Sequence, residues 1–215
     1  MSPFPPYERD PARIYEASFR IIEAETNFSE LPPGLRPLAT RLIHSCGMVD
    51  IVHDLRFGGD PLAAGRAAIA ARKPILCDAE MVARGIITRA LPDGLTPTVT
   101  LNDPSVPDLA RRLGTTRSAA AVELWRDHIE GAIVVIGNAP TALFHLLERL
   151  GQDWPKPALI LGFPVGFVGA AESKDALARY RHDVPFLTLL GRRGGSAMAA
   201  AAVNALTLGL KGDGT

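Results

Sequence analysis

The chain has little cysteine, no net charge and no long apolar run, and each of these features excludes a class of protein. Only Cys46 and Cys77 occur among 215 residues, which argues against a disulfide-stabilised secreted protein. Basic and acidic residues number 23 each, so no basic excess is available for nucleic acid or an anionic membrane. No apolar run could cross a bilayer, and the Pro-rich, charged start does not resemble a signal peptide. We expect a soluble cytoplasmic protein that binds neither nucleic acid nor membrane.

Lysine is also scarce, because the 23 basic residues comprise 4 lysines and 19 arginines. Arginine grips carboxylates with a planar, bidentate fork, whereas lysine offers a point charge. One explanation is therefore a ligand with several carboxylates. The other is a codon bias, since the chain is rich in alanine as well as arginine. Composition favours the codon bias and leaves the ligand open.

What the chain does contain is a repeated unit of apolar run, Gly/Pro turn and helix. Residues 132–136 are apolar and mostly β-branched, residues 137–141 form a turn, and leucines then recur at helical spacing. The unit recurs at 158–161 and 162–169, and a helix follows near Lys174. This order is typical of a parallel α/β sheet, in which ligands bind beyond the carboxyl ends of the strands.

Five segments are predicted to be strands of this sheet. They are 74–78, 96–102, 132–136, 158–161 and 185–190. Residues 49–57 alternate between apolar and polar side chains, so they form either an edge strand or a helix. We predict one α/β domain over residues 1–215, with a doubly wound, mainly parallel sheet of about five strands and helices on both faces. We also predict an N-terminal helical segment and a disordered tail at 211–215.

The first predicted helix carries an apolar stripe with one polar member. Asp10 and Pro11 suit the N-cap and the first helical position. The stripe comprises Ile14, Ala17, Ser18, Ile21 and Ile22. Ser18 either bonds back to the preceding helical turn, which is the commoner fate of such a serine, or contacts a ligand.

Two histidines occupy contrasting positions. His44 lies opposite the apolar face of a helix at 37–47, so it faces either solvent, which spacing favours, or a cavity or partner subunit. His53 falls on the apolar side of 49–57 and is predicted to be a hydrogen-bonded core histidine.

Carboxylates and arginines follow several of the predicted strands. Asp78 ends a strand and Glu80 begins a helix, so the pair could bind a metal, act as acid and base, or cap the helix, and capping is the default. Arg117 lies in a first helical turn, where the helix dipole disfavours a cation, so it indicates either an anionic ligand or a solvent-exposed side chain. Residues 191–196 combine glycines and two arginines at a helix start, which suits an anion. Their spacing is not that of a nucleotide loop, and the chain shows neither zinc-ligand spacing nor a nucleophile elbow.

Six ordered strings spread over the chain resemble the precorrin-8X methylmutase (precorrin isomerase) family of cobalamin biosynthesis. The strings are 43–47, 74–82, 116–121, 136–143, 162–174 and 194–197, and the similarity runs from about Tyr7 to Leu208. The resemblance implies a doubly wound sheet and a homodimer with the tetrapyrrole near the subunit interface. It also implies an isomerase that converts precorrin-8X to hydrogenobyrinate by moving a methyl group from C11 to C12, a formal 1,5-sigmatropic shift that needs no cofactor or metal.

The resemblance also assigns roles to individual residues. His44 matches the family's catalytic histidine, which implies a proton donor facing a ligand at a subunit boundary. Ser18, Thr88 and Arg117 match positions beside the macrocycle. Arg192 and Ser196 are candidates to bind the acetate and propionate groups of the substrate. Asn138 and Lys174 lie in turns at the ligand-binding end of the sheet, where such residues are either structural or in contact with the substrate.

The main alternative is a tetrapyrrole carrier that has the fold and no catalysis. A carrier needs the arginines, whereas only an enzyme needs the acid at His44. A nucleotide-binding α/β enzyme is a third reading, which failure to bind ATP or NAD would remove.

Overall fold

A six-stranded, mainly parallel sheet forms the centre of the structure, a computed structural model that describes residues 4–180 and 183–207. Its strands are β1 (Leu55–Gly58), β2 (Ile75–Cys77), β3 (Pro97–Val99), β4 (Ile133–Ile136), β5 (Leu159–Gly162) and β6 (Phe186–Leu189). Their spatial order is β1-β6-β5-β4-β2-β3. β1 pairs antiparallel with β6, and the other neighbouring pairs are parallel. The predicted α/β class and the five predicted strands are confirmed.

Helices cover both faces of this sheet, as predicted. They are α1 (Pro11–Glu25), α2 (Arg36–Cys46), α3 (Pro61–Ala70), α4 (Glu80–Gly85), α5 (Val106–Leu113), α6 (Arg117–Glu123), α7 (Pro140–Leu150), α8 (Ala170–Arg179) and α9 (Ser196–Leu206). Ile133 and Val135 of β4 pack with α2, α3, α4 and α9, whereas Val134 and Ile136 pack with α6, α7 and α8. Because successive residues of a strand point to opposite faces, an uninterrupted apolar run is what a strand buried on both faces requires.

Local signals explain where several helices begin and end. Asp10 caps α1, since its Oδ1 accepts the N–H groups of Ala12 at 2.9 Å and Arg13 at 3.3 Å, as its sequence position predicted. Helix α2 ends at Gly47, whose φ of 70° is a left-handed conformation that glycine adopts at little cost. No helix among the described residues combines the length and apolarity that crossing a membrane requires. The tail at 211–215 lies outside the described residues.

The apolar stripe of α1 is only partly covered in the single chain. Ile22 is buried, but Ile14 is 48% and Ile21 is 54% exposed. Helix α1 packs on α2, which leaves two of the five residues of the stripe exposed. Periodicity predicted which face is apolar but could not predict what covers it.

The segment around His53 differs from its prediction. Residues Val49–Asp54 form a 3-10 helix, and the edge strand β1 begins only at Leu55. A 3-10 helix has three residues per turn, and with this spacing Ile51 and Val52 are buried while His53 points outward. His53 is therefore an exposed histidine whose Nδ1 lies 3.4 Å from Glu30 Oε2, and the prediction of a core histidine is wrong.

Candidate active site

The carboxyl ends of the parallel strands meet at one edge of the sheet, called the carboxyl edge below. The chain passes from β2 to β3 and returns to β4 on the other side of β2, so the topology switches between β2 and β4. Asp78 follows β2, and its carboxylate accepts the N–H groups of Gly137 and Asn138 at 2.9 Å and of Ala139 at 2.8 Å. Burial raises the pKa of Asp78, and the three donors oppose this rise.

These bonds correct the expected capping role of Asp78. Its donors lie in the turn that precedes α7, so Asp78 holds the turn of the neighbouring βα unit and does not cap α4, which follows it in sequence. Glu80 is exposed and lies 3.9 Å from Arg84, one helical turn further on. Within 4–180 and 183–207, no group of three or more His, Cys, Asp or Glu side chains could hold a metal ion.

The two loops that follow β5 and β6 are joined through their backbones. Gly195 N–H donates to the Phe163 carbonyl at 2.7 Å, and Gly166 N–H donates to the Arg192 carbonyl at 3.3 Å. At Gly194 a Cβ atom would lie 2.4 Å from the same Phe163 oxygen, so only glycine permits this close approach. The joined loops bring the start of α9, at Ser196, to the carboxyl edge.

The surface of these loops is both cationic and apolar. The Arg192 Cζ lies 5.4 Å from the centroid of the Phe167 ring, and Phe167 and Val168 are 83% and 89% exposed. Arg192 is exposed, and Ser196 is partly buried. A flat apolar ligand with carboxylates at its rim would find complementary groups here.

Lys174 lies beneath the same loops. It is fully buried in α8, and its Nζ donates to the Arg193 carbonyl. Burial, and secondarily the charge of Arg193, lower the pKa of Lys174 to about 8. Arg193 forms ion pairs with Asp50 at 2.6 Å and Asp54 at 2.7 Å, which ties the loop to the segment after α2. A direct contact between Lys174 and a ligand stays a prediction.

Arg117 and Asn138 lie along the carboxyl edge. Arg117 is exposed at the start of α6, and its Nη2 donates to the Leu101 carbonyl at 3.2 Å. The hydroxyls of Thr116 and Thr141 are 2.8 Å apart, which joins the starts of α6 and α7. The side chain of Asn138 is exposed between these helix starts, although its backbone is held by Asp78.

Thr88 lies apart from these residues. It begins the 3-10 helix Thr88–Ala90 and lines a cavity of about 360 Å³ beside β3 and α4. The preceding Ile87 N–H donates to Asn204 Oδ1 at 2.8 Å, near the end of α9. The rise of a helix places Asn204 roughly 12 Å from Ser196 along α9. Thr88 and Ser196 are therefore not brought together within one chain.

His44 belongs to a cluster on α1 and α2, called the His44 corner below and comprising Tyr15, Ser18, Phe19, Arg41 and His44. The Ser18 Oγ lies 3.0 Å from His44 Nδ1. The rings of Phe19 and His44 stack with centroids 4.9 Å apart and planes 27° from parallel. His44 remains accessible to solvent, yet partial burial, and secondarily the charge of Arg41, lower its pKa below the usual value.

The corner contains three side chains that sequence reasoning did not connect with the site. They are Tyr15, Phe19 and Arg41. A signal for them existed, because Tyr15 and Phe19 are four residues apart on α1 and Arg41 precedes His44 by three residues on α2. What sequence could not indicate was that α1 and α2 turn these faces toward each other.

The fold and these two regions define an α/β protein whose carboxyl edge presents groups that suit a ligand anionic at its rim. A sequence model of the precorrin-8X methylmutase family matches residues 13–208, and the chain belongs to this family. A precorrin-8X methylmutase of Pseudomonas aeruginosa is 61% identical over 200 residues, which cover 93% of this chain and 96% of the relative. One from Sinorhizobium sp is 54% identical over 200 residues, covering 93% and 95%.

A solved structure agrees with the sequence relatives. The precorrin-8X methylmutase of Thermus thermophilus superimposes with a TM-score of 0.82 at 39% identity, covering 91% of this chain and 94% of the other. The resemblance seen in the six strings is confirmed. The protein is therefore an isomerase, of the intramolecular transferase type, in cobalamin biosynthesis, and precorrin-8X is the substrate of its family.

Proposed function

We propose that the protein moves a methyl group from C11 to C12 of precorrin-8X and releases hydrogenobyrinate, with His44 as the proton donor. One carbon–methyl bond breaks and one forms within the same molecule, so the reaction needs no electron donor or acceptor. Protonation of the ring nitrogen beside C11 draws electron density from the migrating framework. The proton returns to the imidazole after the shift, and histidine is the side chain suited to this exchange near neutral pH.

The observation that carries this proposal is the hydrogen bond between Ser18 and His44. It occupies Nδ1, at 3.0 Å, and none of the described residues is recorded as a partner of Nε2. The stacked Phe19 ring limits rotation of the imidazole. An oriented ring with one free nitrogen is the arrangement that a general acid requires.

The binding roles of the other residues belong to the same proposal. Arg117, Arg192 and Ser196 are donors for carboxylates, supported by their exposure or their position at a helix start. Asn138 and Thr88 present exposed polar side chains. Lys174 contributes through the Arg193 carbonyl that it binds. We expect loss of Arg117 or Arg192 to raise KM more than it lowers kcat.

We further propose that the protein is a homodimer in which α1 lies at the interface. Ile14, Tyr15 and Ile21 form an exposed apolar surface beside the His44 corner, with Tyr15 45% exposed. Static light scattering should give the mass of a dimer for the wild type and of a monomer for Ile21→Glu. As a control, Leu113→Glu, an exposed position on α5, should remain dimeric. A monomeric wild type would contradict the dimer.

A cytoplasmic location is also proposed here, supported by two free thiols. Cys77 is buried and Cys46 is partly buried, and neither forms a disulfide. Burial raises the pKa of both thiols, which keeps them in the unreactive protonated form. Recovery of the native protein in a periplasmic rather than a cytoplasmic fraction would contradict the location.

The decisive experiment is anaerobic incubation with precorrin-8X, followed by visible absorption and mass spectrometry. The wild type should change the spectrum at unchanged mass, and a labelled methyl group at C11 should appear at C12 by carbon NMR. His44→Ala should still bind the macrocycle and lose roughly 10²- to 10⁴-fold in turnover, the usual contribution of a general acid. His53→Ala is the matched control, because His53 is an exposed histidine outside the cluster.

Two outcomes would overturn parts of this proposal. Normal turnover by His44→Ala would remove histidine as the acid. Tight binding of precorrin-8X by the wild type, with no change in spectrum or methyl position, would favour either the tetrapyrrole carrier or an enzyme that acts on the cobalt-containing form of the substrate.

A further inference from the structure

The Phe19 ring is shared by His44 and an arginine. The Arg41 Cζ lies 4.9 Å from the Phe19 centroid, the same separation as that between the His44 and Phe19 rings. Arg41 and His44 are three residues apart on α2 and therefore neighbours on one face of the helix. A guanidinium over an aromatic face is attracted by the ring quadrupole. The ring thus already holds one cation next to the imidazole.

Arg41 is held by aromatic groups rather than by a carboxylate. Its Cζ lies 5.2 Å from the Tyr15 centroid, and its Nη2 donates to the Tyr15 hydroxyl. Its Nε is buried and has no hydrogen-bond partner among the described residues. Arg41 forms no ion pair with the carboxylates of the described residues, so its positive charge is not neutralised by them.

Arg36, in the first turn of the same helix, provides the contrast. Its Cζ also lies over an aromatic ring, 5.0 Å from the Phe28 centroid. Its guanidinium, however, forms a two-point ion pair with Glu23 on α1. Both arginines belong to α2 and each lies over an aromatic ring, Phe28 for Arg36 and Phe19 for Arg41, but only the charge of Arg36 is balanced by a carboxylate.

Among the residues that the structure describes, the groups that contact His44 carry no negative charge. From α1 these are the Ser18 hydroxyl and the Tyr15 and Phe19 rings, and from α2 the recorded neighbour is Arg41. A protonated imidazole in this corner would therefore stand beside an unbalanced cation without a counter-ion among the described residues. Burial and, after it, Arg41 accordingly lower the pKa of His44.

We propose that Phe19 and Arg41 are positioning residues for His44: Phe19 fixes the plane of the imidazole, and Arg41, in addition to partial burial, disfavours protonation of the ring until an anionic ligand docks beside it. A ligand bearing several carboxylates supplies the missing negative charge, so the ring takes up a solvent proton on docking and becomes an acid only in the complex. The part of this inference that concerns turnover rests on the proposed function. The effect of Arg41 on the titration of His44 in the free protein does not depend on the proposed function.

The first test is a titration of the free protein by NMR with labelled histidine, using His44→Ala to assign the resonance. In Arg41→Gln the midpoint of the His44 titration should move to higher pH. In Arg36→Gln it should stay at the wild-type position, because that arginine is balanced by Glu23. Arg41→Lys keeps the positive charge, so the midpoint of the His44 titration should remain near that of the wild type. This variant shows whether a shift in Arg41→Gln comes from the lost charge or from altered packing.

The second test adds hydrogenobyrinate as the ligand. The His44 midpoint of the wild type should move to higher pH when the ligand binds, and by less in Arg41→Gln. An unchanged midpoint in free Arg41→Gln, or a ligand that leaves the wild-type midpoint in place, would overturn the role of Arg41. Both readouts are independent of turnover, so they can hold even if the proposed reaction fails.

The third test addresses Phe19 through kinetics with precorrin-8X. Phe19→Leu removes the stacked ring and should lower kcat about 10-fold with little change in KM, as expected for a misoriented acid. Phe19→Tyr restores a ring and should recover most of kcat. Equal kcat values for the leucine and tyrosine variants would overturn the positioning role of Phe19.

Discussion

The carboxyl edge and the His44 corner are built in opposite ways. At the carboxyl edge, buried groups are held by several backbone atoms: Asp78 accepts three N–H groups, and Lys174 binds a carbonyl from a fully buried position. In the corner, His44 is solvent-accessible and is held by one hydroxyl and one stacked ring. The first region is stabilised by the fold itself. The second depends on a few side chains between two helices.

This difference suits the two proposed roles, since the carboxyl edge would hold the ligand and the His44 corner would donate the proton. A cradle for a large ligand must keep its shape, and backbone hydrogen bonds in a buried setting provide that rigidity. A proton donor must reach both the ligand and solvent, so it cannot be buried in the same way. Substitutions of the buried groups at the carboxyl edge, Asp78 and Lys174, should therefore act mainly on stability, and substitutions in the corner mainly on kcat.

The largest effect is expected for Asp78→Ala. The change leaves the N–H groups of Gly137, Asn138 and Ala139 without their acceptor, and each buried unsatisfied donor costs about 1–3 kcal/mol. We expect the free energy of unfolding to fall by at least about 3 kcal/mol in a urea titration.

The matched control is Asp10→Ala. Asp10 likewise accepts backbone N–H groups, as the cap of α1, but it is exposed and accepts only two, so about 1 kcal/mol should be lost. If both variants lost the same stability, the carboxyl edge would be no more rigid than an exposed helix start.

The next largest effect is a pH dependence carried by Lys174. Its pKa is about 8 in the folded protein and near 10.5 when unperturbed, so between these values the unfolded chain binds a proton that the folded chain releases. The free energy of unfolding should therefore rise as pH increases from about 8 to about 10.5, by up to about 3 kcal/mol. Below about pH 8 both states are protonated, and the cost of burying the charge is fully present.

Lys174→Met tests this dependence because methionine has a similar length and no charge. The difference in unfolding free energy between wild type and variant should grow in favour of the wild type as pH rises through this window. The lost bond to the Arg193 carbonyl adds only a constant offset to that difference. Parallel pH profiles for the two proteins would show that Lys174 is not a buried charge.

Sequence predicted the central strands well because glycine or proline marks both ends of their apolar runs, as Gly131 and Gly137 do for residues 132–136. The failures have local physical reasons. The sequence predicts a core histidine at His53 because this residue falls on the apolar side of an alternating pattern, whereas a 3-10 helix turns it outward. Ile14 and Ile21 were placed on an apolar stripe that the single chain leaves exposed.

The candidate site was less predictable from sequence than the strands. Helical spacing predicts only that His44 faces solvent, and the catalytic role of His44 and the position of Ser18 beside the ligand come from the resemblance alone. The bond between them joins residues 26 apart in sequence, and the ion pair of Arg193 with Asp50 joins residues 143 apart. Such pairs depend on how α1, α2 and the loop after β6 are packed, which no periodicity encodes.

The smallest effect is expected for Ser18→Ala in the His44 corner. The hydrogen bond to Nδ1 is worth about 1 kcal/mol, and its loss leaves the imidazole free to rotate away from the productive orientation. We therefore expect kcat with precorrin-8X to fall about 3- to 10-fold, while KM and the unfolding midpoint barely change. Ser45→Ala is the control, because the Ser45 hydroxyl donates to the Leu42 carbonyl within α2 at 2.7 Å and is not recorded in contact with His44. If Ser18→Ala instead lowered stability and left kcat unchanged, the corner would be scaffold like the carboxyl edge, and the contrast between the two regions would fail.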